Sequence, residues 1–185
     1  MTTTLTTGRQ LRSLARIVGA ALCALAALAI ARHGGPDRLL VATLALGLIP
    51  MAIYLMVHRR LPDELVLAQL LIVVAAAVAV DATETTRVSV HGAFGAVLAT
   101  AVLIGLRVLW PALLTAPEVK EAVPVGYGLA AVGWTVWVLG LAVAVIFKGG
   151  LVMTAEARRA DVDTLEVPFG VAMAASALGV LALTG

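Results

Sequence analysis

The stretch LLVATLALGLIPMAIYLMV, from Leu39 to Val57, runs for 19 residues without a charged side chain. A helix of about 20 mostly apolar residues can cross the hydrocarbon core of a bilayer, because every backbone N–H and C=O is satisfied within the segment. The rest of the chain is similar: of 185 residues, 62% are hydrophobic and 13% charged. A soluble domain carries about 25% charged residues. The composition therefore predicts an integral protein of the cell membrane.

Five further segments have enough apolar character to be spans, and together they predict an all-α, polytopic helical bundle with about six transmembrane helices. We expect a single membrane domain covering residues 1–185, with a first three-helix unit over 1–90 and a second over 91–185. Alanine, glycine and valine fill the segments, so helices should approach closely. The six expected spans are Ala15–Ala31, Leu39–Val57, Leu65–Val80, Gly92–Leu114, Pro124–Phe147 and Val167–Thr184.

The basic residues hardly distinguish the two sides of this six-span arrangement. With a cytoplasmic N-terminus, seven fall inside and six outside, a small difference for the positive-inside rule. The three arginines ahead of the first span favour a cytoplasmic N-terminus. An even number of spans then predicts a C-terminus on the same side.

Several function classes lack support in the residues. The formal net charge is only +2 and no aromatic and basic face recurs, so no nucleic-acid partner is expected. Cys23 is the single cysteine, which excludes an internal disulfide and a cysteine metal motif. No nucleotide-binding or hydrolase motif occurs, so we expect no cofactor, and the sequence favours a protein that is not an enzyme.

Two groups of charged residues at expected span ends are candidates for an ion path or for structural roles. Asp63 and Glu64 follow Pro62 at the start of the third span, where acids satisfy free N–H groups and interact well with the helix dipole. Arg107 lies late in the fourth span, where its stem can extend to the interface.

The loop after the third span holds Asp81, Glu84 and His91. These side chains are either a solvated turn or a binding site, but their spacing matches no zinc signature, so no metal site is expected. Asp163 and Glu166, three residues apart, have the spacing of a capping box before the last span. We interpret them as a helix entrance, with an ion-path role as the alternative.

Three motifs resemble a known family. They are DRLLVATLALG from Asp37, LPDELVLAQ from Leu61 and ARRADVDTLEV from Ala157. In order and spacing they resemble the C-terminal membrane region of the large subunit of Mrp-type sodium/proton antiporters, and related small subunits of membrane-bound hydrogenases. Residues 91–150 match least, and Ala68 and Gln69 stand where that family has a glutamate.

That resemblance implies a non-catalytic subunit of a larger cation- or proton-translocating, complex-I-like assembly. Such a subunit would provide packing surface and part of an ion path, with other multi-span membrane subunits and lipid as its partners. The missing glutamate favours an accessory role.

Two other hypotheses remain open. The tail VPFGVAMAASAL, from Val167, is similar to that of type IV prepilin peptidases, aspartyl enzymes that need two carboxylates. Asp81 and Glu118 are the residues that could form such a pair. A stand-alone small carrier or scaffold is the third hypothesis, and it predicts a polar cavity within this chain.

Overall fold

The computed structural model describes residues 3–58, 61–83, 87–111, 113–114, 116–157 and 169–184. Within these ranges the chain is all-helical, as expected, with seven α-helices and no strand. The helices are α1 (Thr3–Arg32), α2 (Gly35–His58), α3 (Asp63–Thr83), α4 (Val88–Leu109), α5 (Ala116–Val132), α6 (Trp134–Ala157) and α7 (Phe169–Thr184).

Five of the described helices are long and apolar enough to cross a membrane, which fits a membrane-embedded bundle. They are α1 from Ala15, α2, α3, α4 and α6 up to Thr154. Short connections join the first four helices, so each lies antiparallel to the one before it. The connection into α2 turns at Gly35, whose φ of +56° is a conformation that glycine adopts without strain.

The expectation of one helix over Pro124–Phe147 is wrong, because the chain reverses at Gly133, between α5 and α6. Residues on the two sides of Gly133 meet across this hairpin. A Cβ on Gly140 would lie 3.0 Å from the side chain of Leu129, and Lys148 Nζ lies 3.9 Å from Glu118 Oε1. Residues 91–185 therefore supply a fourth helix to the expected three-helix unit.

The hairpin determines which helix termini lie at each of the two ends of the bundle. End A holds the N-termini of α3, α5 and α7, and end B holds those of α2, α4 and α6. Lys120 Nζ bonds Asp63 Oδ1 at 2.5 Å at end A, and the rings of His91 and Trp134 lie 6.3 Å apart at end B. Since α1 starts at end A and α7 finishes at end B, these two helix ends lie at opposite ends of the bundle, whereas the expectation from the sequence is that both chain termini lie on one side.

Helix α5 packs against five other helices, α2, α3, α4, α6 and α7. Small residues permit its closest approach, to α4: a Cβ on Gly126 would lie 2.8 Å from the Gly95 carbonyl oxygen. Trp137 Nε1 donates a hydrogen bond to that same oxygen at 3.1 Å, which ties α6 to the pair. One apolar core draws on all seven helices and joins the two halves of the chain.

Candidate functional site

Buried charge sets one region of the bundle apart. Among the described residues the buried polar or charged side chains are Gln69, Glu118, Glu121, Lys148 and Ser176. The three charged ones meet at end A, where α5, α6 and α7 come together, and we call them the buried charge cluster. Charges inside an apolar bundle are expensive, and in membrane proteins they mark functional positions by default.

Helix α5 supplies the two carboxylates. Glu118 and Glu121 are three residues apart, so they lie on the same helix face one turn from each other, and each is 3% exposed. Lys120, between them in sequence, points away from this face and pairs with Asp63 on the surface. The first turns of α5 therefore present acids to the interior and a base to the surface.

The N-terminus of α7 closes one side of the cluster. The backbone N–H of Phe169 donates a hydrogen bond to Glu118 Oε1. The carboxylate of Glu121 lies directly on Gly170, where any Cβ would overlap it. Free N–H groups and the helix dipole make a helix N-terminus a favourable place for negative charge.

Helix α6 supplies the positive charge. Lys148 is 7% exposed, and its Nζ lies 3.9 Å from Glu118 Oε1. The reversal at Gly133 creates this contact, because Glu118 and Lys148 are each 15 residues from that glycine. A continuous helix over the same residues would have placed them at opposite ends.

Apolar packing separates the cluster from end B. One turn beyond Glu121, α5 borders a small cavity of about 10 Å³ between α4, α6 and α7. Its lining is apolar and includes Ala122, Val125, Leu129 and Met173. A cavity of this size is at the lower limit for one water molecule, and a water needs polar partners that this lining lacks.

Searches of protein families, curated proteins and solved structures found no match to this chain. Within the described residues, no group of three or more His, Cys, Asp or Glu side chains is placed to hold a metal ion.

The structure places three of the sequence-predicted residues on the surface. Asp63 and Glu64 are exposed in the first turn of α3, and Asp63 forms the ion pair with Lys120 described above. Arg107 is exposed in the last turn of α4. These three side chains are not part of the buried charge cluster.

Asp81 organises the start of α4. It is half-buried in the last turn of α3, and its carboxylate accepts hydrogen bonds from the backbone N–H groups of Val88 at 2.6 Å and Ser89 at 3.1 Å, and from the Ser89 hydroxyl. The first N–H groups of a helix have no partner within it, so a carboxylate from the preceding helix satisfies them.

The carboxylate pair considered for a peptidase is not formed. Glu118 lies at end A, two residues from Lys120, which pairs with Asp63 at the start of α3. Asp81 lies 18 residues further along α3 than Asp63, toward end B. That separation is about 27 Å along a helix.

Asp163 and Glu166 lie outside the described residues.

Gln69 is a buried polar side chain of α3. It is 3% exposed, and its Nε2 donates to the carbonyl oxygens of Thr43 and Leu44, each at 3.3 Å. The amide lies on Gly47, where a Cβ would overlap it. Gln69 therefore joins α3 to α2 through neutral hydrogen bonds.

Sequence reasoning missed Glu121 and Lys148 as site residues and considered Glu118 only for the peptidase pair. Lys148 lies just beyond the end of the expected fifth span, Pro124–Phe147. The available signal was the pair of glutamates one helical turn apart, directly before an apolar run in a chain with only 11 acids.

Proposed function

We propose that this chain is a non-catalytic membrane subunit of a larger cation- or proton-translocating assembly, and that the buried charge cluster is part of its ion path. The observation that carries the proposal is the burial of two carboxylates, one of them paired with a buried ammonium group, inside an apolar bundle. Since such charges are costly in a membrane protein, their retention is best explained by transport. The motif resemblance to antiporter and hydrogenase subunits supports the same function.

In this proposal the chain forms one section of the ion path through the assembly. Ala122, Val125 and Leu129 follow the cluster toward end B and line a nearly closed apolar cavity. In the described residues, no polar side chains continue from the cluster through this lining. A partner subunit would therefore supply the other section.

The geometry weighs against the two alternatives. A prepilin-peptidase mechanism requires two carboxylates that share a site, whereas Asp81 and Glu118 are at opposite ends of the bundle. A stand-alone carrier requires a polar cavity, whereas the cavity next to the cluster is small and apolar.

We further propose that end A faces the cytoplasm, because the hairpin redistributes the basic residues. Among the described residues, end A carries six basic residues and end B carries three. Under the positive-inside rule this excess favours a cytoplasmic end A. The described end-A residues are Arg9, Arg12, Arg16, Arg107, Lys120 and Lys148, and those at end B are Arg32, Arg38 and Arg87.

Purification through a tag on this chain, in mild detergent from native membranes, tests the function. We expect multi-span membrane proteins in the eluate, identified by mass spectrometry. In vesicles containing the assembly, Glu121→Gln should reduce cation or proton translocation at least tenfold while the subunits still co-purify. The matched control is Glu64→Gln, which neutralises an exposed glutamate and should leave translocation unchanged.

Recovery of the chain alone, or only as a homo-oligomer, would contradict the role as a subunit. Normal translocation by both Glu121→Gln and Glu118→Gln would contradict the role in the ion path.

Cysteine labelling tests the orientation. In a Cys23→Ala background, Thr184→Cys at end B should react with a membrane-impermeant maleimide in intact cells. Thr154→Cys near end A should react only after permeabilisation. The reverse pattern would place end A outside the cell.

A further inference from the structure

Helix α2 has an interrupted hydrogen-bond ladder in its middle. Pro50 lies inside the helix, eight residues before its last residue, His58. Proline has no N–H, so the carbonyl oxygen of Leu46 loses its helical hydrogen bond, and the proline ring bends the chain away from that carbonyl. The side chain of Pro50 is exposed, so packing inside the bundle does not explain its presence.

Two side chains also bond to carbonyl oxygens in the turns before this proline. Gln69 Nε2 of α3 donates to the oxygens of Thr43 and Leu44, each at 3.3 Å. Thr43 Oγ1 donates to those of Leu39 and Leu40, each at 2.9 Å. Side chains that compete for helical carbonyl oxygens weaken the ladder and are a known cause of bending. The turns that lead up to the proline are therefore the most easily bent part of α2.

Beyond Pro50, α2 forms a small apolar cluster with the chain segment that leads into α3. Because this cluster is separate from the main core, we expect residues 51–58 of α2 to move with the start of α3 rather than with the rest of α2. We call residues 51–58 together with α3 the α2–α3 arm. The cluster consists of Met51, Leu55 and Leu61, with Tyr54 and Val66 packed against it.

Helix α3 is held more firmly at end B than at end A. It contains neither glycine nor proline, so it moves as a rigid body. None of its first six residues, 63–68, is buried, whereas Ala76 and Val80 nearer end B are. At end B the Asp81 carboxylate binds the start of α4. At end A the ion pair of Asp63 with Lys120 is exposed, and exposed ion pairs contribute little to stability.

On the α2 side, the arm contacts the rest of the bundle through small or flexible side chains. Ala52 and Met56 belong to the main core, and methionine adapts readily to changes in packing. Ile53 faces Gly19 of α1, which has no side chain to obstruct it. These neighbours therefore allow the arm to tilt without large clashes.

We infer that the α2–α3 arm is a hinged element, which tilts about its anchored end at end B while α2 bends at residues 47–50. Gln69 is the latch residue, because its amide joins α3 to the half of α2 that precedes the hinge. The amide lies on Gly47, where any Cβ would overlap it, so the latch closes only on a glycine. The structure shows the latched position. The hinge does not involve the buried charge cluster, and it is therefore independent of the proposed ion path.

Pulsed EPR on the full-length chain in nanodiscs tests the hinge. In a Cys23→Ala background, nitroxide labels at Val57→Cys on the arm and Met153→Cys on α6 report the position of the arm, since both native side chains are exposed. Labels at Val108→Cys on α4 and Met153→Cys form the control pair outside the arm. A bend of about 20° at Pro50 moves the end of α2, about 12 Å away, by roughly 4 Å.

Removal of the latch should move the arm. Gln69→Met takes away both hydrogen bonds to α2 and should add a component about 4 Å longer to the distance distribution of the arm pair. Gly47→Ala should give the same shift, because its Cβ displaces the Gln69 amide. Gly105→Ala is the matched control, since a Cβ there meets no atom within 4 Å. Adding Pro50→Ala to Gln69→Met should remove the longer component, because alanine supplies the missing N–H and straightens α2.

An unchanged arm distribution in both Gln69→Met and Gly47→Ala would overturn the inference. A longer component that persists after Pro50→Ala is added would overturn it as well, because the motion would then not depend on the hinge. An equal shift in the control pair would also contradict the inference, since it would show a general loosening of the bundle.

Discussion

The two ends of the bundle both use acids beside the start of a helix, but in different surroundings. At end B the half-buried carboxylate of Asp81 accepts two backbone N–H groups and a hydroxyl group at the entrance of α4. At end A Glu118 and Glu121 lie at the entrance of α7, each 3% exposed, with Lys148 beside Glu118. Position at a helix N-terminus is therefore shared by the two sites and does not distinguish a structural cap from the buried charge cluster.

Burial makes the distinction. A half-buried carboxylate can keep its charge because neutral donors and water stabilise it. At end A two carboxylates and one ammonium group are buried in an apolar interior, where charged groups are costly to hold. Substitutions at each end should therefore differ in size and in kind.

The largest effect is expected from Lys148→Met, which leaves the two carboxylates without their ammonium group. Removal of one partner from a buried ion pair costs about 3–5 kcal/mol. We expect a loss of that order in the free energy of unfolding, measured by denaturation in detergent. Lys120→Met breaks the exposed pair with Asp63 and serves as the control, with an expected loss of about 0.2–1 kcal/mol.

A compensating variant shows whether charge is the reason for this loss. Combining Lys148→Met with Glu118→Gln removes one charge of each sign, so most of the lost stability should return. A double variant as unstable as Lys148→Met alone would show that Lys148 acts through packing, and the contrast between the two ends would lose its basis.

An intermediate effect is expected from Gly170→Ala, because the new methyl group overlaps the Glu121 carboxylate. Overpacking of this kind typically costs about 1–3 kcal/mol. Gly179→Ala, on the same helix, is the matched control, since a Cβ there meets no atom within 4 Å. It should be neutral or slightly stabilising, because alanine favours helix over glycine by up to about 1 kcal/mol.

Thermal unfolding of the two variants side by side gives the measurement. Equal unfolding temperatures would mean that Glu121 moves away from α7 at no cost. The packing of Glu121 against Gly170 would then not constrain the buried charge cluster.

The contrast between the ends also explains what the sequence could reveal. Apolar runs predicted α1 to α4 and α7 because a span is set by length and hydropathy. The α5–α6 hairpin could not be predicted in this way, because apolar residues continue on both sides of Gly133. Average hydropathy is the same whether the chain runs straight or reverses there. Lys148 could not be paired with Glu118 without the hairpin, so the cluster was missed together with the fold feature that builds it.

Asp81 was visible in the sequence because it ends an apolar run, but its role depended on a contact with the next helix. A short connection between α3 and α4 made such a contact possible. The choice between a solvated turn and a binding site required the positions of Val88 and Ser89. The sequence therefore predicted the position of Asp81 at a helix end, whereas its hydrogen-bond partners became known only from the structure.

The smallest effect is expected from Asp81→Ala, which removes the acceptor for the first N–H groups of α4. Loss of a capping side chain typically costs about 0.5–2 kcal/mol. Hydrogen exchange should accelerate at the amides of Val88 and Ser89, while translocation by the assembly stays normal. Ser89→Ala is the matched control, because it removes one hydroxyl donor and leaves both backbone bonds to Asp81 intact. A folded Asp81→Ala variant without translocation would contradict this division, because it would make end B part of the ion path and Asp81 more than a cap.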